Sequence, residues 1–141
     1  MRRAFTLPEL LLVLAVLGIL LGIALPSLTH AVDRIEVHSA AAHLIAAHQR
    51  ARMMAVAKGQ VLTLSIDSAV LTISGRSSSS VLWSEPGPGA AGVSLPGPSR
   101  HFTFAPEGFT LGLSNASLHL ARGSASRTVV FSRLGRARLL P

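Results

Sequence analysis

The chain contains no cysteine and no tyrosine, and Trp83 is its one tryptophan. Without cysteine there is neither a disulfide nor a thiolate-held metal, and cysteine usage says nothing about compartment. Acids are scarce: six Asp and Glu stand against thirteen Lys and Arg, for a formal net charge of +7. Lysine is nearly absent too, since Lys58 is the only one and twelve arginines carry the rest. Arginine binds phosphate and carboxylate through a planar fork that lysine lacks. A basic, arginine-biased chain favours anionic partners such as nucleic acid or anionic lipid. Codon bias combined with solubility accounts for the same composition equally well.

Catalytic signatures are missing as well. There is no nucleophile elbow of the G-x-S-x-G kind, no P-loop and no dinucleotide fingerprint. Outside the N-terminal run the acids are Asp33, Glu36, Asp67, Glu85 and Glu107, scattered through the chain. His38, His43 and His48 are five residues apart, about 140° per step on a helix, so they do not share a face. A zinc pair on a helix needs a spacing nearer four. The histidines are therefore expected to be exposed or locally bonded. No enzyme activity, metal or cofactor is expected. Asn115-Ala116-Ser117 is formally a glycosylation sequon, short enough to arise by chance.

What the chain does have is one long apolar run. Residues 5–28 are almost unbroken, with no charge from Leu10 to Leu25. At about 1.5 Å per residue, such a run crosses a bilayer core of about 30 Å. Arg2 and Arg3 precede it, which leaves the N-terminus in the cytoplasm and the remainder of the chain outside. A secretory signal peptide is the main rival, but no clear small-residue cleavage site follows the run. Glu9 at its head is also foreign to a secretory apolar region. In one reading Thr6-Leu7-Pro8-Glu9 is a capping box, with Glu9 returning to the Thr6 backbone amide and Pro8 tolerated in the first turn. In the other, an acid in a membrane segment is costly and is there to be paired.

"RRAFTLPELLLVLAVLGILLGIALPSL" (2–28) resembles the N-terminus of type IV pilins and of the pseudopilins of type II secretion. The match runs through the basic leader, Phe5, Thr6, Leu7, Glu9, Leu10, Gly18 and Pro26. The resemblance implies cleavage by prepilin peptidase between Ala4 and Phe5 and methylation of the Phe5 amine. It also implies that Glu9 attracts the free amine of a neighbouring subunit during filament assembly. A buried carboxylate and a buried ammonium each cost several kcal/mol alone, so their pairing sets register. The sequence departs from the family at Ala4, where glycine is usual, and at Pro8, where an aliphatic residue is usual.

Pro26 is expected to kink or interrupt the helix. From Asp33 to Lys58 a second helical pattern places Ala40, Leu44, Ala47, Ala51 and Met54 on one face. Lys58 and Gly59 form its stop. Short strands are then expected at 60–66, 70–74, 81–84, 101–105, 109–113, 117–121, 127–132 and 136–140. Residues 85–100 hold four prolines and four glycines and should be irregular. The predicted fold is α+β: a long N-terminal helix, transmembrane then amphipathic, packed on an antiparallel β-sheet domain, the pilin fold. Its expected divisions are a leader at 1–4, a transmembrane and filament-core helix at 5–29, an amphipathic helix at 30–58 and a β-sheet domain at 59–141.

Later stretches resemble the GspH/FimT branch of minor pseudopilins and pilins. They are "LIAAHQRARMMAVAKGQVLTLSID", "FAPEGFTL" and "VVFSRLGRARLL", the last with the closing Gly135-Arg136-Ala137-Arg138. The last 42 residues hold six arginines against Glu107, a balance of +5. Arg136 and Arg138 point the same way on a strand and, with Arg133, form the candidate DNA or anion site. Arginines that shield a strand edge from aggregation are the competing explanation. In FimT-like members the resemblance implicates the closing motif in DNA uptake.

The leading expectation is an H-type minor pseudopilin at the filament tip of a type II secretion system. The first alternative is a FimT-like minor type IV pilin that binds DNA. The second is a membrane-anchored periplasmic binding domain with no filament role. The expected partners are other pilin or pseudopilin subunits, prepilin peptidase, the inner membrane and, for the pilin alternative, DNA. The expected location is the bacterial inner membrane, single-pass, with the C-terminal domain periplasmic.

Overall fold

Helix α1 spans Leu7–Lys58 in the computed structural model, which describes residues 6–76, 80–112, 115–132 and 135–140. Ala4, Phe5 and Arg133 lie outside the described residues. The chain forms two compact units, Met1–Val32 and Asp33–Pro141.

In the first unit every described side chain from Leu7 to Val32 is exposed, including Leu12 at 66% and Ile19 at 65%. Among the described residues nothing covers this apolar surface, so lipid or other helices must. The Thr6 backbone N–H donates to Glu9 Oε2 at 3.5 Å, and the Leu10 N–H donates to the Thr6 carbonyl at 3.2 Å. This is the amide-to-carboxylate contact expected of a capping box. The helix runs on through Pro26, so of the expected kink or interruption the interruption does not occur. Hydrogen bonds on either side of one proline suffice to carry a long helix past it.

The second unit begins with the remainder of α1. Its inner face is Val37, Ala40, Ala41, Leu44, Ala47, His48, Ala51 and Ala55, all buried. Alanine makes up more than half of this face. Gly59 ends the helix in the left-handed region at φ +60. Its N–H donates to the Val56 carbonyl and that of Gln60 to the Ala55 carbonyl, each at 3.2 Å, the double closure of a Schellman motif.

Among the described residues eight strands follow: β1 Leu62–Ile66, β2 Val70–Gly75, β3 Val81–Pro86, β4 Arg100–Phe104, β5 Thr110–Leu111, β6 Ala116–Arg122, β7 Ala125–Phe131 and β8 Ala137–Leu140. They form a five-stranded antiparallel sheet ordered β3-β2-β1-β4-β5 and a three-stranded one ordered β6-β7-β8. Alternation places Leu62, Leu64 and Ile66 of β1 in the core beside Leu71, Ile73, Phe102 and Phe104. The three-stranded sheet adds Leu118, Leu120, Val129 and Phe131. The connection 87–99 contains a short 3-10 turn at Pro88–Ala91 and is pinned to β6 by paired Ser94–Ala121 backbone bonds of 2.8 and 3.1 Å.

Candidate functional site

The C-terminal arginines do not form one patch. Arg100 opens β4 in the five-stranded sheet, paired in register with Ile66. Arg122 is taken up internally: its Nε lies 3.1 Å from Asp33 Oδ1, and its Nη1 donates to the Ala91 carbonyl at 2.6 Å. It ties helix, 3-10 turn and β6 together and has little charge to spare. Arg127 lines a separate cleft with Arg34. Among the described residues the C-terminal arginines are thereby dispersed over several surfaces.

Arg136 and Arg138 remain together. Arg138 is exposed on β8, the edge strand of its sheet, Arg136 is exposed immediately before it, and Leu140 is exposed beyond. The turn before β8 is closed tightly: the Gly135 N–H donates to the Ser132 carbonyl at 2.9 Å, and the Arg136 N–H to Ser132 Oγ at 3.2 Å. Gly135 has φ +75, a conformation that favours glycine. Arg52, on α1, reaches this turn. A Cβ on Gly135 would lie 3.5 Å from Arg52 Nη1, and one on Gly108 would lie 3.4 Å from Arg52 Nε. Arg52 also borders a groove of about 460 Å³ with Gln49, Met53, Val56, Ala57 and Gly135. Among the described residues, three guanidinium-bearing side chains thus belong to this end of the unit. The sequence reading missed Arg52, which lies 84 positions from Arg136 and meets its turn only through the fold.

The expectation of exposed or locally bonded histidines fails at His48. It is 1% exposed, and among the described residues neither ring nitrogen has a hydrogen-bond partner. Its ring stacks on Phe131 at 4.6 Å and meets Phe104 and Phe102 edge-on at 4.9 and 5.6 Å. Burial, with a smaller push from the Arg52 charge, lowers its pKa to about 4. The helical spacing held the signal, because His48 sits four residues after Leu44 and three before Ala51, on the buried face.

His43 does fit the expectation, with Nε2 2.5 Å from Glu85 Oε2. Arg50 Nη1 lies 3.3 Å from Glu85 Oε1, and its guanidinium lies 5.1 Å from the centre of the Trp83 ring. The His43 hydrogen bond first, and the positive charges of His43 and Arg50 after it, hold the Glu85 carboxyl below its usual range. This cluster clamps β3 to the helix. Among the described residues no three His, Asp or Glu side chains gather into a metal-holding group.

Comparison with known proteins follows the same division of the chain. Residues 40–135 match the family described as Type II transport protein GspH, and residues 1–25 match the Prokaryotic N-terminal methylation motif. Pilin-like protein PilA1 of Thermus thermophilus is 33% identical over 161 residues, covering 98% of each chain. The type IV minor pilin FimU of Pseudomonas aeruginosa in one crystal form superimposes with a TM-score of 0.63 at 25% identity, over 77% of this chain and 90% of that one. A second crystal form gives 0.57 at 22% identity, over 74% and 92%, a likeness of fold alone.

Proposed function

The chain belongs to the GspH family of pilin-like proteins, structural and non-enzymatic, and from that membership we propose that it is a minor subunit of a type IV pilus-type filament. The observation that carries this reading is the uncovered apolar surface of residues 7–32, headed by Glu9. Such a helix is stable in lipid as a stored subunit and among like helices in a filament. The N-terminal methylation motif implies processing by prepilin peptidase. Cleavage between Ala4 and Phe5 would free the amine that Glu9 of the same motif is placed to pair. In lipid neither ion is tolerated alone, so the pair selects the incoming subunit's register. The same anchor puts the chain in the inner membrane, with residues 33–141 on the periplasmic side.

Between the two filament systems, the relatives named a pilin-like protein and a type IV minor pilin favour the pilus. The exposed Arg136–Arg138 pair then gives the subunit an anionic-polymer contact, with DNA as the ligand. The second reading, an H-type pseudopilin of type II secretion, is favoured by the family description itself.

The absence of cysteine makes the decisive experiment clean. Single cysteines placed at Val16 and Leu20 should cross-link the chain to other subunits in filaments sheared from its native host. A chain that stays in the membrane fraction and never enters filaments would overturn the reading. Loss of surface pili on deletion of the gene supports the pilus, and loss of exoprotein release with pili intact supports secretion.

A further inference from the structure

Two depressions in the 33–141 unit share the same pair of arginines. One, of about 380 Å³, lies between Arg34 and Val37 of α1 and residues 124–127 of the β6–β7 hairpin. The other, of about 540 Å³, is bordered by Arg34, His38, Ser39 and Arg127. They are two lobes of one cleft, and each falls within the size range of small-molecule sites. Its polar lining is arginine, histidine and serine, and no carboxylate borders either lobe.

The nearby acids border neither lobe. Asp33 is held by Arg122 at 3.1 Å. Glu36 is half-buried and borders neither lobe. Among the described residues neither Arg34 nor Arg127 lies within salt-bridge distance of a carboxylate. Arg127 gives one Nη1 donor to the Ser126 carbonyl at 3.0 Å and keeps the remainder of its fork. Two forked cations in one lining suit the tetrahedral, multiply accepting oxygens of a phosphate.

Position in the chain selects the source of that phosphate. Arg34 follows Leu28, the end of the apolar run, by six residues. Six residues reach about 9 Å as helix and at most roughly 20 Å extended. The headgroup layer begins where the hydrocarbon ends and is about 5–8 Å deep on each side. Helix α1 is unbroken from Leu28 to Arg34, so the shorter figure applies: the Arg34 backbone lies just beyond the outer edge of the headgroup layer, and its side chain is long enough to reach back into it.

We propose that Arg34 and Arg127 hold the headgroup phosphate of an anionic phospholipid while the subunit is anchored in the membrane. This rests on the reading of residues 5–28 as the membrane anchor.

The test uses the full chain in bilayer nanodiscs of phosphatidylcholine mixed with phosphatidylglycerol, released into native mass spectrometry. Wild type should retain phosphatidylglycerol in preference to phosphatidylcholine. Arg34→Ala/Arg127→Ala should cut that retention roughly tenfold or more. Arg34→Lys/Arg127→Lys, which keeps charge without the fork, should retain an intermediate amount. Arg76→Ala/Arg100→Ala removes equal charge elsewhere and should behave as wild type; a loss as large as that of the cleft variant would overturn the proposal. Equal retention by wild type and the cleft variant would do the same. Displacement of the lipid by soluble glycerol phosphate at matched concentration would make this a free-phosphate site, and displacement by a short oligonucleotide would make it a nucleic-acid site; either overturns the lipid assignment. Flotation with vesicles separates the two layers of argument. A chain that does not float overturns the anchor and the proposal together, whereas one that floats without lipid preference overturns the proposal alone.

Discussion

The imidazole of His48 lies on the ring of Phe131 at a centroid separation of 4.6 Å, with both of its nitrogens buried and, among the described residues, unpartnered. Phe131 belongs to the three-stranded sheet, while Phe102 and Phe104, which meet the same imidazole, belong to the five-stranded one. One helical side chain therefore joins both sheets. A polar ring at this junction is tolerated only while it is neutral.

That condition makes stability depend on pH. The folded-state pKa of about 4 lies below the ordinary value of 6.5, so between those values the unfolded chain binds the proton more readily. Stability should be full above the ordinary value and fall with pH down to about 4, by up to about 3 kcal/mol. His48→Leu should remove most of this slope. Urea denaturation across that range, for both proteins, is the measurement.

Glu9 carries two roles that substitution separates. Glu9→Gln keeps an acceptor for the Thr6 N–H but no charge, whereas Glu9→Ala loses both. If pairing with a neighbouring amine drives assembly, both variants should insert normally and both should lower recovery in sheared filaments at least about tenfold. Normal assembly by Glu9→Gln would leave only the cap.

Intact-mass analysis of the protein from its native host should show removal of Met1–Ala4 and one added methyl group on Phe5. Ala4→Gly restores the residue usual in the family and should speed the cleavage, read as the ratio of processed to unprocessed chain after a pulse of synthesis.

Gly123 is doubly constrained. It sits at φ +53, and a Cβ there would collide with Asp33 Oδ2. Gly123→Ala should destabilise the protein by about 1–2 kcal/mol from backbone strain, with a further loss as the Asp33–Arg122 pair is pushed apart. Thermal unfolding of Gly123→Ala beside Asp33→Asn checks how much of the loss passes through that pair.

DNA binding by the full chain in detergent should weaken steeply with salt. Arg136→Ala/Arg138→Ala should lower the salt slope by about two and the affinity uniformly across sequences. Unchanged binding would leave these arginines as protection for the β8 edge. Arg52→Ala tests whether the residue that braces the Gly135 turn contributes to the same surface.

Much of this protein follows from local rules that a sequence displays. The apolar run and its Glu9 were legible because a membrane-crossing helix needs only length and composition. The stop at Lys58-Gly59 was legible because a left-handed C-cap favours glycine. The strands were legible from alternation, with β1 and β2 read nearly to the residue. The division of eight strands into two sheets was not legible, since pairing between distant strands leaves no local mark. The fate of the charges was not legible either. Arg122 reads as one more free cation until Asp33, 89 positions earlier, is found beside it. Arg34 and Arg127 read as unrelated until the β6–β7 hairpin sets them in one cleft. Sequence determines which segments are helix, strand and anchor, because those depend on neighbours a few residues away. Tertiary structure alone decides which arginines are neutralised and which stay free, because a charge is cancelled by whatever the fold brings within a few ångströms.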